Sequence, residues 1–265
     1  MLESGRCANC TRPIDGADQK FCPACGQPTP AHRIDWHFLG HELEHSVLHM
    51  DRGVFYSLKE LMLRPGHLMR DYLEGRRAKQ VKPLLLLMIS AAATLLLGKL
   101  FLEGDIVGTA MQVGYSQGES MRANGHVDSA EVAKVFGQLK DWLNTHITAF
   151  TLVLLPFEAA TFWLVFRGRG LNYPEWLVVS AFLTVQMFVF MSLSILLRHW
   201  FPNVQMWVFV PVSTYVIFSL VQLFRDHSGW NTALRGIAGL GLYVVVQGIV
   251  TALLLVIVLL VSGWA

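Results

Sequence analysis

The sequence predicts an all-α polytopic membrane protein with five transmembrane helices and a small N-terminal module that contains all of its cysteines. Its 265 residues are 53% hydrophobic and 15% charged, with a mean hydropathy of +0.44. Soluble domains carry about 25% charged residues, so much of this surface is expected to face lipid. Five apolar stretches after residue 82 are each near the roughly 20 residues that a bilayer-spanning helix needs.

The chain divides by composition into three parts: residues 1–30, residues 31–82, and residues 83–265 with an external loop at 103–146. Lys and Arg number 21 against 19 Asp and Glu, a formal net charge of +2, which argues against a nucleic-acid partner. The basic residues are concentrated before the first apolar stretch, as expected of a segment that remains in the cytoplasm.

The N-terminal module has the spacing of a zinc ribbon. Cys7 and Cys10 form one Cys-x-x-Cys pair, and Cys22 and Cys25 form a second. Two such pairs supply the four thiolates of a tetrahedral structural zinc site. Two redox pairs or two disulfides are the alternatives, although disulfides would be reduced in the cytoplasm. We therefore expect a closed zinc site that serves stability or docking.

Residues 31–82 predict three short amphipathic helices at the cytoplasmic membrane surface. The hydrophobic periodicity gives helices over about 34–50, 52–63 and 65–74, with Pro65 in the first turn of the third and Gly75 after its end. The first helix also carries His37, His41, His45 and His49 at four-residue spacing.

The histidine stripe leaves two interpretations open. His37, His41, Glu42, His45 and His49 could bind a second transition metal if another helix faces them, or they could simply form a polar face. Residues 41–45 also match the His-Glu-x-x-His pattern of zinc proteases. The charged Glu44 within the motif and the lack of an evident third ligand argue against a protease.

Predicted spans cover about 83–102, 147–166, 176–197, 204–224 and 237–261. Counting Lys and Arg beside the spans places the N-terminus in the cytoplasm and the C-terminus outside, in a bacterial inner membrane. Trp176, Trp200, Trp207 and Trp230 lie near predicted span ends, where aromatic belts form.

Two further groups of polar residues are candidates for function. A basic cluster precedes the first span, where positive-inside anchoring alone would explain it and binding of an anionic lipid headgroup or pyrophosphate is the alternative; it comprises Arg64, Arg76, Arg77, Lys79 and Lys82. Glu158 is the only acidic residue well inside a predicted span. It could carry protons or pair with a cation, or it could simply hydrogen-bond a Ser or Thr within the bundle. Gln186, Tyr215 and Gln247 are its candidate companions.

Several strings resemble a family of bacterial membrane proteins known as DUF3667, a domain of unknown function. They are Asp51-Arg52-Gly53, residues 61–66 (LMLRPG), residues 72–77 (YLEGRR) and Lys82-Pro83. The resemblance implies a cytoplasmic zinc ribbon, an interfacial hairpin with an Arg-Pro-Gly turn, and several spans. It implies no activity.

Three functions are consistent with this sequence. The first is a non-enzymatic scaffold or accessory subunit that docks a protein partner at the cytoplasmic face, or assembles as a homo-oligomer. The second is a lipid or small-solute carrier that uses Glu158 and the basic cluster. The third is a metalloenzyme of the histidine stripe. The sequence favours the first.

Overall fold

The computed structural model describes residues 5–14, 19–29, 31–45, 53–108, 129–201 and 203–262. Within these ranges the regular structure is helical, apart from two isolated bridges in the N-terminal module. The described helices are α1 (Trp36–His45), α2 (Val54–Leu63), α3 (Pro65–Leu73), α4 (Pro83–Phe101), α5 (Ser129–Val165), α6 (Tyr173–Leu197), α7 (Val204–Trp207), α8 (Phe209–Leu223) and α9 (Gly229–Ser262).

Among the described residues, five segments are long and apolar enough to cross a membrane, which confirms the predicted number. They are Pro83–Phe101, Gly137–Val165, Tyr173–Leu197, Val204–Leu223 and Gly229–Leu254. The second span begins earlier than hydropathy predicts, because α5 continues from the amphipathic stretch at Ser129 with non-helical backbone only at His146. The fourth span is divided into α7 and α8 on either side of Val208.

The third span, α6, is the centre of the bundle. It packs against α4 on one side and against α5 and α8 on others, while α9 lies outside, against α5 and α8. Pro174 occupies the first turn of α6, and a capping box joins Asn172 to Glu175. Because a box satisfies donors that a helix start leaves unpaired, the start of α6 is well defined.

An aromatic cluster fills the bundle at the start of α6. The ring of Trp176 lies 5.2 Å from Phe166, 5.8 Å from Phe162 and 5.9 Å from Phe224. Trp176 is only 1% exposed, so its assignment to an interfacial belt is wrong. Trp200, Trp207 and Trp230 are 69 to 75% exposed, as belt residues would be.

Helices α2 and α3 form a hairpin that packs on α8. At the break, Gly66 lies so close to α8 that a Cβ there would be 2.3 Å from the Cβ of Gln222 and 2.4 Å from the amide nitrogen of Leu223. The Tyr215 hydroxyl donates to the carbonyl of Met62 at 2.7 Å, which satisfies part of the free end of α2. Arg70 of α3 also forms an ion pair with Asp226, in which Nη1 and Oδ2 are 2.7 Å apart. The hairpin is therefore fixed to the fourth span.

Two of three loops at one end of the bundle contact the N-terminal module or the linker that follows it. The α3–α4 loop (residues 74–82), the α5–α6 loop (166–172) and the α8–α9 loop (224–228) share this end, because Phe166, Trp176 and Phe224 are in ring contact there. We call this end the ribbon side.

Candidate metal centre and its contacts

The four cysteines converge on one point. The Sγ atoms of Cys7, Cys10, Cys22 and Cys25 all lie within 4.8 Å of one another, and the Cys7–Cys25 and Cys10–Cys22 pairs are each 3.6 Å apart. Four sulfurs bound tetrahedrally at about 2.3 Å from a zinc ion would be about 3.8 Å apart. The cluster could therefore hold a metal ion of that size.

Two copies of one backbone turn build the cluster. The amide of Cys7 donates to the carbonyl of Arg12, and the amide of Thr11 donates to that of Cys7. Fifteen residues later, Cys22 donates to Gln27 and Gly26 to Cys22. Thr11 and Gly26, each directly after the second cysteine of its pair, have φ angles of 60° and 71°. The spacing of the cysteines thus reflects a duplicated metal-binding knuckle.

The chemistry of the cluster fits a metal better than it fits disulfides. All four cysteines are free, since 3.6 Å far exceeds the S–S bond of about 2.05 Å. The amide of Ala24 hydrogen-bonds the Cys22 sulfur, and this contact lowers the pKa of that thiol to about 7. At Cys10, despite a backbone hydrogen bond from Arg12, burial and the neighbouring thiols raise the pKa to about 11, so all four thiols can be deprotonated together only with a bound cation.

A buried glutamine joins the second knuckle to the α3–α4 loop. The side chain of Gln27 is almost fully buried, and its Oε1 accepts a hydrogen bond from the amide of Arg77 at 3.0 Å. The Arg77 guanidinium donates to the carbonyl of Tyr72 and lies 4.3 Å from the ring centre of Phe38 in α1. Arg77 therefore contacts the module, α1 and α3 at once.

The linker after the module is tied to the start of α6. Arg33 makes two hydrogen bonds to the Glu175 carboxylate, at 2.7 and 2.8 Å, and donates to the carbonyl of Gly170 at 2.7 Å. Asn172 also donates to the carbonyl of the fully buried Ile34. Paired Arg–carboxylate hydrogen bonds of this kind are among the stronger polar contacts in proteins.

The predicted basic cluster is partly neutralised within the chain. Arg64 pairs with Glu60 at 2.5 Å, and Arg76 pairs with Asp71 and Glu74. Lys79 is exposed. Contact of these residues with lipid remains a prediction.

His37 is the one histidine of the stripe whose side chain the structure describes. His37 lies in α1 and is exposed. His41, Glu42 and His45 lie on the α1 backbone, but their side chains fall outside the described part of the chain, as does the whole of His49. A second metal site there remains a prediction.

Glu158 is buried in α5, in contact with α6. Its Oε2 accepts a hydrogen bond from the Thr184 hydroxyl at 3.0 Å. Two expected companions bond elsewhere, since Gln186 pairs with Ser219 and Tyr215 bonds to α2. Ser180 lies one turn before Thr184, and its hydroxyl is buried without a hydrogen-bond partner. The hydrogen-bond donor to Glu158 therefore comes from α6, and Tyr243 of α9 also lies within electrostatic reach of its carboxylate.

Sequence analysis missed the residues that connect the module to the bundle. Gln27 pairs with Arg77 and Arg33 pairs with Glu175, across 50 and 142 residues, and such pairing carries no local signal. Arg169 and Arg235 entered the prediction only through the count of basic residues beside the spans. In the structure both guanidiniums bond to Asn231. The four-residue spacing of Asn231 and Arg235 on a helix was the one available signal.

Comparison with known proteins gives one family match. Residues 51–95 match the model of the family described as "Protein of unknown function (DUF3667)", which confirms the resemblance over those residues. They comprise the α2–α3 hairpin, the loop with Arg77, and the first two-thirds of α4. No curated protein and no solved structure matches the chain.

Replacing Cys7 and Cys10 by Ser should remove the bound metal and unfold residues 5–29, while the five spans stay inserted. Two ligands cannot hold the ion, and so small a module has little core without it. Metal content per purified chain, measured by mass spectrometry, is expected to fall from one zinc to none. As a control, replacing His37, His41 and His45 by Ala should leave that zinc in place. An unchanged zinc content in the cysteine variant would contradict the assignment.

Proposed function

We propose that this protein is a non-enzymatic scaffold of the bacterial inner membrane, in which five spans hold a zinc ribbon at the cytoplasmic face for a protein partner. The ribbon side faces the cytoplasm in this proposal, with the N-terminus inside and the C-terminus outside. The excess of Lys and Arg before the first span supports that orientation.

The observation that carries this proposal is the fixed position of the module. Gln27 and Arg33 attach it and its linker to two different loops of the bundle, through Arg77 and Glu175. A zinc site with four cysteine ligands has no open coordination position for catalysis. Its rigid attachment is therefore better suited to presenting a surface than to performing a reaction.

The module presents an exposed aromatic side chain. Phe21 precedes Cys22 and is 60% exposed, and its backbone bridges to Pro28 within the second knuckle. A large aromatic side chain on a rigid support is a typical anchor in protein–protein interfaces. We therefore place Phe21 at the centre of the partner interface.

A photo-crosslinking amino acid at position 21 should join the protein to one partner of defined mass in native membranes. Phe201 is the matched control, because it is 62% exposed and lies after the far end of α6. Adding the substitutions Cys7→Ser and Cys10→Ser should abolish the adduct, because the knuckles would no longer hold position 21 in place. The same adducts from both positions, or adducts with lipid alone, would contradict the docking function.

A second candidate function is transport, which the position of Glu158 favours. Glu158 has one hydrogen-bond donor and no ion pair among the described side chains, and the unpartnered Ser180 hydroxyl lies one turn from that donor. Polar groups of this kind inside a span mark proton and solute pathways in many transporters.

Transport through Glu158 is tested with purified protein in liposomes that contain a pH-sensitive dye. If the carboxyl carries protons, the wild type should dissipate an imposed pH gradient, and Glu158→Gln should prevent this at the same reconstituted amount. Thr184→Val removes the hydrogen bond but keeps the carboxyl, so it should retain part of the flux. Equal dissipation by the wild type and Glu158→Gln would exclude the carrier.

A further inference from the structure

Two arginines at the ribbon side converge on one neutral side chain. Arg169, in the α5–α6 loop, donates to Oδ1 of Asn231 at 2.8 Å, and Arg235 of α9 donates to the same oxygen at 3.1 Å. Arg235 also donates to the carbonyl of Val165 at 2.8 Å. The pair therefore bridges the end of α5 and the start of α9.

No carboxylate of the described residues pairs with either guanidinium. The seven ion pairs formed by those residues all involve other cations. Burial lowers the pKa of Arg169, and the charge of Arg235 lowers it further, although both guanidiniums remain charged at neutral pH. The two like charges thus repel each other without compensation.

One nitrogen of this pair lacks a partner. Nη1 of Arg169 is buried and makes no hydrogen bond. A buried N–H without an acceptor is destabilising, and more so when it is charged, because its lost hydration is not replaced. An anion beside Arg169 and Arg235 would reduce the repulsion between the two charges, and a rotation of the Arg169 guanidinium would turn Nη1 toward that anion.

The pair lies at the level where a span meets the membrane surface. Arg235 contacts the last turn of α5, and the neighbouring Arg167 stacks on Trp163 at 4.9 Å. Trp230, one residue before Asn231, is 75% exposed, as interfacial tryptophans are. Lipid phosphates occupy this level, and arginine is well suited to binding phosphate through paired N–H groups.

We propose that Arg169 and Arg235 bind a phosphate group, supplied by an anionic phospholipid of the adjacent leaflet. The site is separate from the predicted basic cluster at residues 64–82 and does not depend on the docking function. Arg169 supplies the unpartnered Nη1, Arg235 supplies the second charge, and Asn231 holds the two guanidiniums together.

The test measures the thermal midpoint of the full chain in neutral detergent as a ligand is added. The three probes are short-chain phosphatidic acid, short-chain phosphatidylcholine and inorganic phosphate. Phosphatidic acid should raise the midpoint of the wild type by several degrees, more than phosphatidylcholine does. A response to inorganic phosphate of the same size would support the anion site but assign it to free phosphate.

Two variants at the site separate anion binding from folding. Arg169→Gln with Arg235→Gln should remove the response, but this double variant could also weaken the fold. Asn231→Asp supplies a carboxylate to both guanidiniums, so it should remove most of the response while the midpoint without ligand stays equal or rises.

Arg225→Gln is the matched control, because Arg225 lies at the same end of the bundle and is 58% exposed. It should keep the full response to phosphatidic acid. The proposal is overturned if the wild type does not respond, if Asn231→Asp responds like the wild type, or if Arg225→Gln reduces the response as much as the double variant.

Discussion

The arrangement of this protein depends on the hydrogen bonds that the Glu175 carboxylate accepts. It accepts a hydrogen bond from the Asn172 amide at 2.7 Å and so completes the cap of α6, the central span, while it also binds the Arg33 guanidinium. Its side chain is only 5% exposed, against 61% for Arg33. A carboxylate in such a position is costly unless its hydrogen bonds are made. The hydrogen bonds that satisfy the Glu175 carboxylate therefore connect the linker to the bundle.

The region matched by the family model contains most of the other contacts that connect the module, the hairpin and the spans. Gly66 allows the hairpin to approach α8, and the backbone amide of Arg77 donates a hydrogen bond to Gln27 of the module. The buried Ser57 hydroxyl accepts from the amide of Val81 at 2.9 Å, which joins α2 to the segment before α4. The hairpin is thus a connector between the module and the spans. This fits a protein whose N-terminal module is held in a fixed position relative to the spans.

Much of this architecture could be predicted from local patterns. Cysteine spacing predicted the four-cysteine cluster, and hydropathy predicted five spans, because both signals are contained in short stretches. The burial of Trp176 could not be predicted, since a tryptophan near the end of an apolar run can face either lipid or neighbouring helices. The partners of Glu158 and the convergence of Arg169 with Arg235 depend on how helices pack, so no single segment encodes them.

The most direct test of this account is hydrogen–deuterium exchange of the full chain before and after a chelator is added to remove the proposed zinc ion. If the module is fixed to the bundle as described, protection should fall within residues 5–29 and also at Arg77 and at residues 170–176, whose contacts depend on it. The core of α6 beyond Thr184 should be unchanged. Loss of protection confined to residues 5–29 would show that the module is only tethered, and would contradict the account.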